Sequence, residues 1–530
     1  MAMLNDMSII LSKEHTSAAN RVRRTILQYD ARTVATECGG LKALENTSLL
    51  DAYRMRLWGY VDSAIGQLDS IHWDACFSDE IAFCHKSVMS KENQPIFKQL
   101  FQDGVDIYDE FISGCRKRGL ECILTHRVSG PDVGGEHSFK KTHPEYYIMD
   151  WCLNPDFSHV EIHDLKLHMF EEIISNYDFD GYEIDFCRHT PFLTPGHQWD
   201  LRDHVTNFMY KLRLLTLKAE EKWHHPVLLS ARIPETADNC RGDGLDLRTW
   251  AQNHLVDTLT IGSRSFEVDI ESIRRETEGA VKLYPCFDAH HQTDAYADPN
   301  PEVLYGVFSN WWAQGADGIS LFNLYACDWA TYIKTCEKEF TPHRHPLEQI
   351  LPVLGDEKLL SPFDKTYVVE RRGGYPWEHG YANNNNTKQL PLIISNDGTP
   401  RTVILYAGDP IAHNAANVSN LYLDVELFGV RPEDTTEVVF NGILLNGEAD
   451  FNYPDKQIKP LQPEHVSGYH TDYLPDRSER FMKIHCPLQP GMVTRGHNFI
   501  TVSVRRTYPY PYTIKAELER VELAVKYRIP

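Results

Sequence analysis

Glu183 and Asp185 stand two residues apart in the run Asp178-Phe179-Asp180-Gly181-Tyr182-Glu183-Ile184-Asp185-Phe186-Cys187-Arg188-His189. Tyr182, Ile184 and Phe186 alternate with them, the period of a strand, so both carboxylates project from one face. Desolvating unpartnered acids costs several kcal/mol each, and folds keep such pairs where charge is used or compensated. Two readings follow: a structural ion pair with Arg188 or a neighbouring strand, or a catalytic or substrate-gripping pair at the mouth of a barrel.

Acids at one strand end need a scaffold that gathers strand ends together. Strands are expected at Thr25–Asp30, Asp69–Asp74, Leu120–Arg127, the run around Glu183, Pro226–Arg232, Val256–Gly262, Val281–Asp288 and Gly318–Asn323. Helical sequence follows each but the last, as over Leu49–Leu68, Val105–Arg118 and Val160–Tyr177, where Leu165, Leu167, Met169, Phe170, Ile173 and Ile174 share a broad apolar face. Val128–Asp156 reads as a long polar insertion holding Tyr146, Tyr147 and Trp151. Eight strands alternating with helices predict a (β/α)8 TIM barrel; a doubly wound open sheet is the alternative, though no GxGxxG follows the first strand.

In such a barrel the active site lies at the C-terminal strand ends, here Asp30, Asp74, Arg127, Glu183, Asp185, Arg188, Arg232, Arg264, Asp288 and Asn323. Glycosidic hydrolysis needs two carboxyl groups flanking the scissile bond, and the first pairing is Glu183 or Asp185 with Asp288. A competing arrangement makes Asp185 the nucleophile and draws the acid from Glu267 or Asp269, after the sixth strand. Arg127, Arg188 and Arg232 either hold substrate, which would suit an anionic sugar, or orient the acids. Asp30, Asp74, Asn323 and His290, which follows Asp288 closely, complete the expected lining, and Trp73 could stack on a sugar ring. The histidines form no HExxH or other ligand spacing, so neither metal nor cofactor is expected. A barrel that binds carbohydrate without cleaving it and a polysaccharide lyase are the alternatives.

Near residue 345 the character changes: Pro342, Pro346, Pro352 and Pro362 punctuate a linker, and short strand-like runs with turn signals follow. Asn396-Asp397-Gly398 and Asn441-Gly442 are the clearest turns. The expected division is a barrel over residues 1–345, then linker and an antiparallel, jelly-roll-like β-sandwich over 346–530. Bracing the barrel is its expected role, because no aromatic cluster stands out along it.

A net charge of -22 argues against nucleic acid, which requires clustered Lys and Arg. No run of about 18 apolar residues indicates a membrane span. The 12 cysteines form no CxxC pair, which favours free thiols and a reducing compartment. With no basic n-region near Met1, a cytoplasmic protein is expected, or a periplasmic or secreted one if an export signal precedes this stretch. A carbohydrate is the expected partner, and homo-oligomerisation is left open.

Two motifs carry a resemblance. Asp180-Gly181-Tyr182-Glu183-Ile184-Asp185-Phe186-Cys187-Arg188-His189 resembles the DGIEIDFxRHP strand of bacterial glycosyl-hydrolase-like TIM-barrel proteins, and Trp312-Ala313-Gln314-Gly315-Ala316-Asp317-Gly318-Ile319 resembles their WAQGADGIYLFN approach to the eighth strand. Leu283–Asp288 is similar to that group's seventh strand, with Asp288 where a Glu would be expected. The resemblance covers about residues 25–335 and implies a carbohydrate-active enzyme of polysaccharide-degrading bacteria, often extracellular or periplasmic, commonly with a C-terminal sandwich.

Overall fold

The computed structural model describes residues 9–30, 47–64, 66–77, 80–81, 95–129, 138–149, 153–187, 190–262, 265–288, 299–322, 346–371, 389–452, 481–506 and 515–528. Strands β1 (Thr25–Asp30), β2 (Ser70–Phe77), β3 (Glu121–Arg127), β4 (Gly181–Asp185), β5 (Leu228–Ile233), β6 (Thr258–Ile261), β7 (Lys282–Asp288) and β8 (Ile319–Phe322) run parallel, each bonded to the next. Pairing of β8 with β1, from Thr25 opposite Ile319 to Gln28 opposite Phe322, closes the sheet into an eight-stranded barrel. Closure removes the open doubly wound alternative.

Strand alternation divides the barrel into an apolar outer face under the helices and a tightly filled interior. Gly181 and Gly318 face inward at the N-terminal end, where there is no room for a side chain. A Cβ on Gly181 would lie 2.7 Å from Leu228 O, and one on Gly318 would lie 1.9 Å from Arg23 O. The plug beneath is ionic: Arg23 Nε and Nη2 each donate to Glu121 at 2.7 Å.

One local reading of the sequence needs correction. On α2 (Val160–Asn176) the buried stripe is Ile162, Lys166, Met169, Phe170, Ile173 and Ile174, with His163 beside it. Leu165 and Leu167 sit at its margins, because helical period, not hydrophobicity alone, decides which positions face the barrel. Within the insertion after β3, Tyr147–Met149 pairs with Leu153–Pro155 as an antiparallel hairpin. Trp151 lies outside the described residues.

Ten further strands form two antiparallel sheets: β9 (Lys365–Val368), β10 (Leu392–Ile394), β11 (Arg401–Ala407), β12 (Val418–Phe428), β13 (Thr435–Phe440), β14 (Ile443–Leu444), β15 (Glu448–Asp450), β16 (Phe481–Pro487), β17 (Gly496–Arg505) and β18 (Ala516–Tyr527). One sheet orders β9-β18-β12-β16-β15 with β10 also on β18, and the other orders β11-β17-β13-β14. Leu423, Val425 and Leu523 of the first meet Leu405, Ile500 and Val502 of the second in one core, which makes the pair a sandwich. The Asn441-Gly442 turn forms as expected, both residues at positive φ (49° and 82°), the two-residue hairpin geometry.

Barrel and sandwich are clasped through exchanged carboxylates. Glu370, just past β9, accepts from Ser265 Oγ at 2.5 Å, Phe266 N at 3.2 Å and Glu267 N at 3.3 Å, while Glu267 accepts from Glu370 N at 2.9 Å. Ile350, Leu351 and Leu354, on the helix Pro346–Leu354, extend the barrel core toward this seam. Among the described residues no helix is long and apolar enough to cross a membrane. Cys115, Cys122, Cys187, Cys240, Cys286 and Cys486 are free thiols.

The polar lead-in contains a helix, α1 (Lys13–Ala19), anchored by one buried imidazole. His15 is 0% exposed, with Nδ1 2.7 Å from Glu220 and Nε2 3.0 Å from Asp257, whose other oxygen meets Arg213 at 2.9 Å. Burial alone would lower the His15 pKa, but the two carboxylates outweigh it and raise it. The stabilisation from its charge is therefore complete below the unfolded value of 6.5 and lost as pH rises through the raised folded value. His15→Gln is expected to cost about 2 kcal/mol at pH 5.5. The deficit should narrow toward pH 9 in urea unfolding, and a deficit constant with pH would exclude a charged His15.

Candidate active site

The register of β4 gives its two acids different neighbours. Glu183 lies opposite Thr125 on β3 and Ser230 on β5; Asp185 lies opposite Arg127 and Arg232 on the same two strands. Step by step toward the C-terminal end, the interior changes from hydroxyls to guanidiniums.

Glu183 is 0% exposed and enclosed by donors. Oε1 accepts from Gln28 Nε2 and Thr125 Oγ1, both at 3.1 Å, and Oε2 accepts from Thr260 Oγ1 at 2.6 Å and Ser230 Oγ at 3.3 Å. His72 Nδ1 lies 3.1 Å from Oε2, off the line of a good hydrogen bond. Burial pushes the carboxyl toward protonation, yet His72, Thr260 and Arg232 prevail and hold its pKa down at about 2. This carboxylate is a fixed charge with its lone pairs in use.

Asp185 is equally buried and differently held. Its Oδ1 accepts from Cys187 N at 2.9 Å and lies 3.3 Å from Arg232 Nε, whereas Oδ2 has no hydrogen-bond partner among the described residues. Arg232 Nη1 donates to Gln28 Oε1 at 3.4 Å, so one glutamine joins the Glu183 layer to the layer above. Burial would lower the Arg232 pKa, but Asp185 first and then Glu183 raise it. Arg127 Nε lies 2.5 Å from Asp74 Oδ2, and Phe322 on β8 packs 4.4 Å from the Arg232 guanidinium and 6.0 Å from that of Arg127.

The structure thus brings Glu183, Asp185, Asp74, Arg127 and Arg232 into one barrel interior. Trp73 is not among them: alternation turns it to the outer face of β2, where it is 0% exposed and stacks 4.6 Å from Phe111. It fills core and offers no ring to a sugar. For Asp30 and Asp288 only the backbone is described, Asp30 opposite Asp74 and Asp288 opposite Phe322. Arg188, His290, Asn323 and Arg264 lie outside the described residues. Glu267 is committed to Glu370 N and Gln389 at the seam, and Asp269 caps the helix that follows it, so these alternative acids belong to the seam. Among the described residues no group of three or more His, Cys, Asp or Glu could hold a metal ion.

Sequence reading missed the layer that holds Glu183. Gln28, His72, Thr125 and Ser230 each sit two residues before a strand-end charge, at Asp30, Asp74, Arg127 and Arg232. Stepping back by two along each strand would have found them. Also missed was Glu235, two residues past β5 and 5% exposed, against which Gly262 at φ 74° leaves only 3.0 Å to a would-be Cβ. Burial first, and then the Glu235 charge, push the Asp243 carboxyl well above the usual carboxylate range.

Several solved structures align with the chain. An α-L-fucosidase isoenzyme 2 from Paenibacillus thiaminolyticus matches 59% of it at 14% identity and a TM-score of 0.38, over 48% of that enzyme, so the chain spans about half of that protein's length. The catalytic domain of psychrophilic chitinase B from Arthrobacter TAD20 matches 60% of the chain and 95% of its own, at 8% identity and a TM-score of 0.37. A glycoside hydrolase family 18 N-acetylglucosaminidase from Paenibacillus barengoltzii matches 58% and 96%, at 11% identity and a TM-score of 0.34. No family model and no curated protein matches the sequence. All three neighbours bear glycosidase names, but at these TM-scores they carry no argument, and the barrel rests on its own strand pairing.

Because the Glu183 pKa is depressed, its stabilisation is present above the unfolded value of 4.5 and disappears as pH falls through about 2. Glu183→Gln should therefore cost about 3 kcal/mol at pH 7 and progressively less below pH 4.5. Urea unfolding at pH 7 and pH 3 measures this, and a variant as stable as wild type at pH 7 would remove Glu183 from the framework.

Proposed function

We propose that the chain is a glycoside hydrolase acting on an oligo- or polysaccharide, with Asp185 as the reacting carboxylate. The observation that carries this reading is the asymmetry of that group: Oδ1 is tied to Cys187 N–H and faces Arg232, while Oδ2 is buried without a hydrogen bond among the described residues. A buried acceptor left unsatisfied costs free energy, and folds retain that cost where a substrate or reacting atom completes the bond. Oδ2 is the atom that attacks the anomeric carbon or removes the proton from a water attacking it. Glu183 acts beneath it as a fixed negative charge that positions Arg232.

Asp288, at the C-terminal end of β7, is the proposed partner acid, donating its proton to the departing glycosidic oxygen. Arg127 and Arg232 each face a carboxylate, Asp74 and Asp185. That neutralisation favours their orienting the acids over gripping an anionic sugar, and Arg188 with Asp30, His290 and Asn323 is left to contact substrate. Two carboxyl groups are the minimal set for this chemistry, with no cofactor.

Asp185→Asn keeps the shape and the Cys187 contact while removing the charge. Hydrolysis of the best substrate from a screen of neutral and acidic polysaccharides should fall roughly 10²–10⁴-fold, with the unfolding midpoint little changed. An Asp185→Asn protein that cleaves at the wild-type rate would sink the assignment, and products absorbing in the ultraviolet would identify a lyase instead.

A further inference from the structure

Away from the barrel mouth, a cleft of about 430 Å³ opens at the seam between barrel and sandwich. One wall is the helix α3 (Ile270–Glu276), with Glu271 and Arg275; the other is the outer face of the β11–β17 pair, with Tyr406 and His497. The wall of the sandwich is a short aromatic strip. Tyr406 pairs with His497 edge to face at 5.2 Å, the next outward pair is Ile404 with Phe499, 39% and 51% exposed, and beyond it Thr402 and Thr501 share a hydroxyl hydrogen bond of 2.8 Å. This corrects the view that the sandwich gathers no aromatics on one face: His497-Phe499 and Ile404-Tyr406 are spaced by two, and only antiparallel pairing makes them neighbours.

The facing helix supplies the polar half. Glu271 and Arg275 are one turn apart in the order that favours an ion pair, yet both are exposed and neither is in an ion pair among the described residues. Their heads are available to a ligand, as are the Tyr406 hydroxyl and the His497 ring. The seam itself is fixed, since Asn310 donates to Tyr406 O at 2.9 Å and accepts from Gly408 N at 2.8 Å.

We infer that this cleft is a second saccharide-binding site, which holds a length of polysaccharide outside the barrel. A pyranose has an apolar C–H face and a rim of hydroxyls that both donate and accept, and the cleft opposes an aromatic strip to a carboxylate, a guanidinium and a phenol. A second copy of this chain fits less well, because the apolar part reduces to Ile404 and Phe499 between threonines, whereas stable interfaces bury about 800 Å² per partner around an apolar centre. The choice of ligand rests on the glycosidase reading; the shape and lining of the site do not.

The test is native electrophoresis of the full chain through gels containing soluble xylan, glucomannan, carboxymethylcellulose or polygalacturonate. At least one polysaccharide should retard the wild-type protein, and Tyr406→Ala/Phe499→Ala should weaken that binding fivefold or more. Arg275→Ala, an exposed change on the opposite wall, should weaken it as well, which guards against a fold defect in the sandwich variant. Equal retardation of both variants and wild type, or no retardation of wild type in any gel, would overturn the site. Retardation without product formation would overturn the glycosidase reading alone, and cleavage with unchanged retardation of the variants would overturn the cleft alone.

Discussion

A carboxylate in the middle of a barrel survives as an anion only when donors replace the water it has lost, and Glu183 draws them from four other strands. Gln28 comes from β1, Thr125 from β3, Ser230 from β5 and Thr260 from β6, and His72 of β2 lies 3.1 Å away beside them. Charge-assisted bonds of this kind contribute more than neutral ones, and losing one partner leaves the others facing an unsatisfied charge. The inward positions of six strands are therefore coupled through one side chain, and the register that satisfies Glu183 also sets Asp185 between Arg127 and Arg232.

The architecture was legible because each element carries its own periodic signal. Alternation in Tyr182-Glu183-Ile184-Asp185-Phe186 announces a strand without knowledge of its partners, and the Asn441-Gly442 turn announces a hairpin from two residues alone. What could not be read is what depends on distant pairing. His15 meets Asp257 across 242 positions, and nothing local marks a histidine in a polar helix as buried. Trp73 directly precedes Asp74, and adjacent strand residues face opposite ways, so whatever aims Asp74 inward sends Trp73 into the helical shell and away from any sugar.

The same geometry explains why the sequence left open which acid of β4 is chemical. Both are inward, charged and buried, and only their height in the barrel separates them. One residue of rise per strand position is about 3.3 Å, so two positions carry Asp185 some 6–7 Å nearer the C-terminal rim. Over that distance the neighbours change from hydroxyls that donate to guanidiniums that are themselves paired, and no inspection of β4 alone reveals what β3 and β5 contribute at each height.

The division of labour then follows from saturation. Glu183 has partners on both oxygens and a pKa held near 2, so it has neither a proton to give at neutral pH nor a free lone pair with which to attack. A general acid has to exchange a proton near the working pH, and a nucleophile has to leave its partners to form a bond. Asp185 keeps one oxygen anchored and, among the described residues, the other unbonded, which fixes the orientation of the carboxylate without using the atom that would react. Satisfying one acid completely is what allows its neighbour, two residues further along the strand, to be left incomplete.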